Sequence, residues 1–260
     1  MSRPVTPTKP PSCTWLLTVL ATLACLLIGL LGYRLLLDNN LAHERRLATQ
    51  RLDAFALSLE ATLARHESLP GLLALDPALA ALLHEPDNPR RQAAANAYLE
   101  AAQQGASVAV AFLIDARGNT LAASNWRLPR SFVGHNYAFR PYFRDALEGG
   151  LGRFYGIGVT TGEPGYFLAA PVRDQGRALG VIVLKVGLEG MEQALSGTGD
   201  TQLLTDSDGV VFLASERRWR YRALAPLPEA VKARLEETQQ YGSQPVPLLA
   251  DQPIGITGGE

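Results

Sequence analysis

One arginine and one lysine sit in apolar and aromatic surroundings between Asn136 and Lys185 of this 260-residue chain. Arg140 stands between Phe139 and Pro141, with Tyr137, Tyr142 and Phe143 close by. Lys185 interrupts the strand-like run 179–186, Leu-Gly-Val-Ile-Val-Leu-Lys-Val. Burying a lone cation costs several kcal/mol unless a counter-charge meets it. The acids within the stretch are Asp145, Glu148, Glu163 and Asp174, all in helix-like or turn-like contexts. A small anion from outside is one solution, and it would make this a carboxylate-binding pocket. A guanidinium offers a planar fork that matches a carboxylate, and an ammonium offers a point charge. Two such cations on either side of one small molecule favour a dianion. The alternatives are an ion pair between Arg140 and Asp145, and a Lys185 side chain turned to water. Tyr137 can donate its hydroxyl while its ring walls the pocket; Tyr155 and Thr160 are further candidates, and His135 reads as an exposed loop residue.

These residues need a scaffold, and the chain supplies an α+β pattern. Residues 107–114 read as a strand, Asp115-Ala-Arg-Gly-Asn119 as a turn, and 120–124 as the returning strand. Residues 141–147 read as a short helix closed by Gly149-Gly150. Three more strands follow at 153–159, 165–173 and 178–186. A second start appears at 201–205, with Asp206-Ser-Asp-Gly209 as its turn and 210–215 as its return. The segments FLIDARGNTLAAS (112–124) and LLTDSDGVVFLAS (203–215) read as a weak internal repeat, two copies of one module with the second incomplete. A helix over 228–239 and a Pro/Gly-rich tail complete the pattern.

Upstream, residues 1–11 carry four prolines and predict a disordered tail. Ser12 to Tyr33 holds no charged residue over 22 positions. That is long enough for a helix across a bilayer core of about 30 Å, so 12–37 reads as an uncleaved signal anchor. Leu41, Leu47, Leu52, Phe55, Leu59 and Leu63 then predict a long amphipathic helix over 38–67 that Pro70-Gly71 breaks. Shorter helices are expected over 72–83 and 90–104. The segments are thus a tail (1–11), an anchor (12–37), a helical region (38–104), a first module (105–190) and a second one (200–260).

A net charge of -1 and a pI near 6.4 argue against nucleic acid as a partner. Both cysteines, Cys13 and Cys25, belong to or border the apolar run, which argues against a disulfide framework. No nucleophile–base arrangement, metal-spaced histidine pair or complete calcium loop is present in the sequence, so neither catalysis nor a cofactor or metal is expected.

The runs Ser124-Asn-Trp126, 132–143 (FVGHNYAFRPYF), Gly152-Arg-Phe-Tyr155, Gly165-Tyr-Phe167 and Leu184-Lys185, with Trp219-Arg-Tyr-Arg222, resemble the periplasmic sensor region of DctB-type C4-dicarboxylate sensor histidine kinases. The resemblance covers about residues 35–224. It implies tandem PAS-like (double Cache) modules on a long N-terminal helix, held in the bacterial inner membrane with the sensor in the periplasm. The membrane-distal module would bind succinate, fumarate or malate through Tyr137, Arg140 and Lys185. The 158–161 loop would add backbone N–H groups and a hydroxyl, through Gly158, Val159 and Thr160. A homodimer through the N-terminal helix is implied, and a response regulator would be reached only through a kinase part. No phosphorylatable histidine or ATP-lid pattern follows the sensor region, so the chain reads as a sensor half without kinase activity. The rival reading is a chemoreceptor ectodomain for another carboxylate or an amino acid, which would need an acid facing the ligand's ammonium.

Overall fold

The computed structural model describes residues 13–196, 201–243 and 245–251. The predicted tail at 1–11 lies outside them, as does most of the Pro/Gly-rich end. The chain divides into two compact units, Met1–Glu60 and Ala61–Glu260. Helix α1 runs Cys13–Glu67 without a break, through a sequence dominated by leucine, alanine and other good helix formers. Among the described residues no helix is long and apolar enough to cross a membrane. Ser12 lies outside the described residues, as do the side chains of Cys13, Thr14, Leu16, Leu17, Thr18 and Leu35 within the apolar stretch.

Two helix expectations need correction. The long helix ends at Glu67 as expected, but Pro70-Gly71 lies inside the short α2, Leu69–Leu73, rather than in a break. Proline is accepted in a first turn because its missing N–H would have no partner there. The helix predicted over 72–83 is two helices, because Asp76-Pro77 starts a new one. Asp76 keeps an extended backbone and accepts from Ala78 N at 2.8 Å, capping α3, Pro77–His84. Asn88-Pro89 repeats the device for α4, Pro89–Ala106.

Five strands form an antiparallel sheet in the order β2-β1-β5-β4-β3. Its strands are β1 Val110–Asp115, β2 Thr120–Ala123, β3 Gly152–Ile157, β4 Pro164–Asp174 and β5 Arg177–Gly187, and α5 (Pro141–Leu147) joins β2 to β3. Alternation along β5 divides its side chains between two cores. Ile182, Leu184 and Val186 pack with Leu79, Leu82 and Leu99 of α3 and α4. Val181 and Val183 face the other way, toward Phe112, Phe132, Tyr137 and the α5 residues Tyr142 and Phe143. Lys185 follows Val183 on that second face.

The internal repeat is structural. β6 (Leu203–Thr205) pairs with β7 (Val211–Ala214) as β1 pairs with β2, with a register shift at the matching place. In each turn the aspartate does the same job. Asp115 Oδ1 accepts from Arg117 N and Asn119 N; Asp206 Oδ1 accepts from Asp208 N and Val210 N. Gly118 and Gly209 take positive φ of 91° and 77°, which favours glycine. The serines also match: Ser124 Oγ accepts from Ala111 N, and Ser215 Oγ from Gln202 N. Around the second hairpin, Val210, Ala223, Leu235 and Tyr241 form a small core of their own. It includes α7, Glu229–Thr238, and it follows α6, Glu189–Ser196, which sequence reasoning missed.

Leu184 is fully buried in the core that α3 and α4 form with the sheet. Leu184→Ala is expected to cost about 2–5 kcal/mol, read as a lowered urea midpoint with little change in slope.

Candidate functional site

Pro141 determines how Arg140 enters the site. A proline disfavours helical backbone in the residue before it, and Arg140 has φ -79° and ψ 132° at the N-cap of α5. Its side chain is 1 % exposed. Nη2 donates to Ile157 O at 2.6 Å, and Nη1 to Thr238 O at 3.0 Å and Gln239 O at 3.3 Å. The rings of Phe139 and Phe154 lie 5.2 Å from the guanidinium carbon. The last carbonyls of a helix lack intrahelical partners and carry its negative dipole end, so Arg140 caps α7 from another part of the chain. The expected alternative, a pair with Asp145, is not what these donors make. Burial pushes the guanidinium's pKa down, against the pull of Tyr142 and Tyr137.

Lys185 is also 1 % exposed, which corrects the alternative of a side chain turned to water. Its stem lies flat over Gly165, where a Cβ would come within 2.6 Å of Cε. Nζ donates to Thr161 Oγ1 at 3.0 Å, and Glu163 Oε2 lies 3.5 Å away. Burial lowers the ammonium's pKa, and the charges of Glu163 and then Glu189 oppose that shift.

Both cations lie along one backbone segment. A Cβ built on Gly156 would stand 3.3 Å from Arg140 Nη1, and one on Gly158 would stand 3.5 Å from Lys185 Nζ. Residues two apart in an extended chain point to the same side at a separation of about 7 Å. Tyr137 joins them: its hydroxyl meets Thr160 Oγ1 at 2.5 Å, and its ring packs on Phe112 and Phe132. Burial raises the Tyr137 pKa, with Thr160 and then Arg140 opposing. The 158–163 loop is further tied by Gly158 N to Glu163 O, Gly162 N to Gly158 O, and Arg130 Nη1 to Thr161 O at 3.0 Å.

Tyr137, Arg140, Gly158, Thr160 and Lys185 therefore come together. Val159 is in the same loop but 42 % exposed. Tyr155 goes elsewhere: its hydroxyl donates to Phe212 O at 3.1 Å and its ring packs at a tilt against Phe212 and Tyr241 in the C-terminal core. Alternation explains this, because Tyr155 points to the side opposite Phe154 and Gly156. Ser124 is committed to Ala111 N, and Asn125 to Phe132 N and Arg130 O. Sequence reasoning missed Thr161 and Glu163 as partners of Lys185, and Arg130 as a tether of the loop. The second threonine of Thr160-Thr161 was the one available signal.

A family profile described as Cache domain matches residues 34–256. The chain belongs to the Cache-domain family. It is 38 % identical over 83 % of its length to the C4-dicarboxylate transport sensor protein DctB of Pseudomonas aeruginosa, of which it covers 35 %. With the protein of the same name from Rhizobium meliloti it shares 36 % over 86 %, covering 37 %. The chain thus spans little more than a third of these relatives. Among solved structures it is similar to the sensor domain of the V. cholerae histidine kinase DctB, with a TM-score of 0.73, 36 % identity, and coverage of 77 % of this chain and 78 % of that one. The ligand-binding domain of the Campylobacter jejuni chemoreceptor Tlp3 shares the fold at a TM-score of 0.53 and 13 % identity, covering 65 % of this chain and 69 % of its own.

Buried phenols make the Cache fold sensitive to alkali. Burial raises the pKa of Tyr142, Tyr155 and Tyr241 above the ordinary value of 10.0. Above pH 10 the unfolded chain releases protons that the folded chain holds, so stability falls as pH rises. Urea midpoints measured from pH 8 to 11 should drop beyond pH 10, and Tyr142→Phe should reduce the drop.

Proposed function

We propose that this chain is the extracytoplasmic sensor part of a two-component sensor histidine kinase and binds C4-dicarboxylates without transforming them. The observation that carries the reading is the pair of almost fully buried cations, Arg140 and Lys185, set along one face of the Gly156–Gly158 segment with the Tyr137 and Thr160 hydroxyls beside them. Three of the five guanidinium N–H groups go to carbonyls, which leaves two for one carboxylate while the Lys185 ammonium would meet the other. The two bacterial relatives are C4-dicarboxylate transport sensor proteins, which supports the same ligand class.

The membrane-distal module would be 105–190 and the membrane-proximal one 200–260. Residues 12–37 would anchor the chain in the inner membrane, with the sensor in the periplasm. In support, Leu20, Leu23, Leu26, Leu27, Ile28, Leu30 and Leu31 are all exposed on α1, as lipid-facing side chains of a span would be. A homodimer through the N-terminal helix would bring two sensors together, and phosphotransfer to a response regulator would belong to a kinase part. The chemoreceptor reading needs an acid facing the ligand's ammonium, and an amino acid, with one carboxylate, would leave one of the two buried cations unanswered.

The full chain, purified in detergent or nanodiscs, should bind succinate, fumarate or malate in calorimetric titration, and alanine or acetate far more weakly. A charge-assisted contact is worth about 1.5–3 kcal/mol, so Lys185→Met should weaken dicarboxylate binding about 10- to 100-fold. Binding of alanine in preference to succinate would overturn the reading.

A further inference from the structure

Lys185 has a counter-ion of an unusual kind. Its ammonium is buried, with its side chain 2 % exposed, yet the carboxylate that meets it belongs to a side chain 62 % exposed. The contact is 3.5 Å, longer than a close charge-assisted hydrogen bond. Glu163 is thus tied to the lysine by charge more than by geometry. Its backbone is held separately, since its carbonyl accepts from Gly158 N at 2.9 Å. The side chain can move without releasing the loop.

Room exists for that movement. Glu163 and Thr161 line an outer cleft of about 510 Å³ together with Arg127 and Arg130. Arg130 already donates to Thr161 O in the same loop, and Arg127 pairs with Glu100 at the cleft. A carboxylate leaving Lys185 would find cations there.

We propose that Glu163 is a displaceable internal counter-ion, holding Lys185 with a carboxylate of the chain's own until a ligand carboxylate takes its place. This rests on the dicarboxylate reading and adds its control: the ligand's affinity is set by exchange of one carboxylate for another, not by capture at a free ammonium. The exchange also makes the site selective. An incoming group must replace a full negative charge beside a buried cation, so neutral analogues are refused. It also gives the ligand a differential effect on the 158–163 loop, without which binding could not bias a conformation.

The test compares the unaltered full chain with Glu163→Gln and Glu189→Gln, by succinate titration and by thermal unfolding with and without succinate. Glu189 also acts on Lys185 through its charge, but its carboxylate lies against Gly187. A half-exposed ion pair is worth about 0.2–1 kcal/mol, so Glu163→Gln should tighten succinate about 1.4- to fivefold. Without succinate it should lower Tm by about 1–4 °C, and saturating succinate should close that gap. Glu189→Gln should change affinity less. Unchanged or weaker binding by Glu163→Gln, a Tm deficit that persists at saturation, or equal tightening by Glu189→Gln would each overturn the exchange. Failure of the unaltered chain to bind any dicarboxylate would instead overturn the reading beneath it, and this proposal with it.

Discussion

Two positive charges buried in one face of a five-stranded sheet constrain everything around them. Each must find acceptors where water is excluded, and the chain meets the demand in two ways. Arg140 gives three of its five donors to carbonyls: Ile157 at the end of β3, and Thr238 and Gln239 at the end of α7. Those acceptors are main-chain atoms locked in secondary structure. Lys185 relies on a threonine hydroxyl and a half-exposed glutamate in a loop. The first arrangement is framework; the second can be rearranged at low cost, because surface carboxylates contribute little to stability.

The arginine also ties the first sheet to the C-terminal core. α7 and the second hairpin share one small core, and Tyr155 reaches into it from β3. Ile157 N donates to Gln240 O at 2.8 Å, and Arg144 of α5 pairs with Glu237 of α7 at 3.0 Å. The edge strand beside the cations is therefore also the strand on which α7 and the C-terminal core lean. Any displacement of the 158–163 loop begins directly next to these contacts. The repeat makes this economical: one Asp-turn-Gly hairpin serves twice, once behind the site as β1 and β2, and once in the core that receives α7.

Much of this was legible from residue types. The 141–147 helix and the strands of the first sheet fall within a few residues of their expected limits. Arg140 and Lys185 stand out by charge and aromatic company, and the family resemblance implies Tyr137 beside them. Tyr155 was misassigned because adjacency in sequence does not tell which side of a strand faces the site; alternation from Gly156 does, once the site is known. Thr160 and Thr161 were not told apart, since both hydroxyls sit in one loop and only its path separates their partners. Helix α6 was missed because Glu-Gly-Met-Glu carries no strong start signal.

The amino-acid order by itself determined the local devices: aspartate and glycine in two turns, Asp76 and Asn88 before prolines as caps, proline after Arg140, and alternation that buries Lys185 with Val181 and Val183. These act within a few residues, so composition and spacing reveal them. Tertiary structure alone decided who answers the charges. Thr238 is 98 residues from Arg140 and offers a carbonyl that every residue possesses, leaving no mark in the sequence. Glu163 reaches Lys185 only because antiparallel pairing of β4 with β5 returns the loop to the lysine's side.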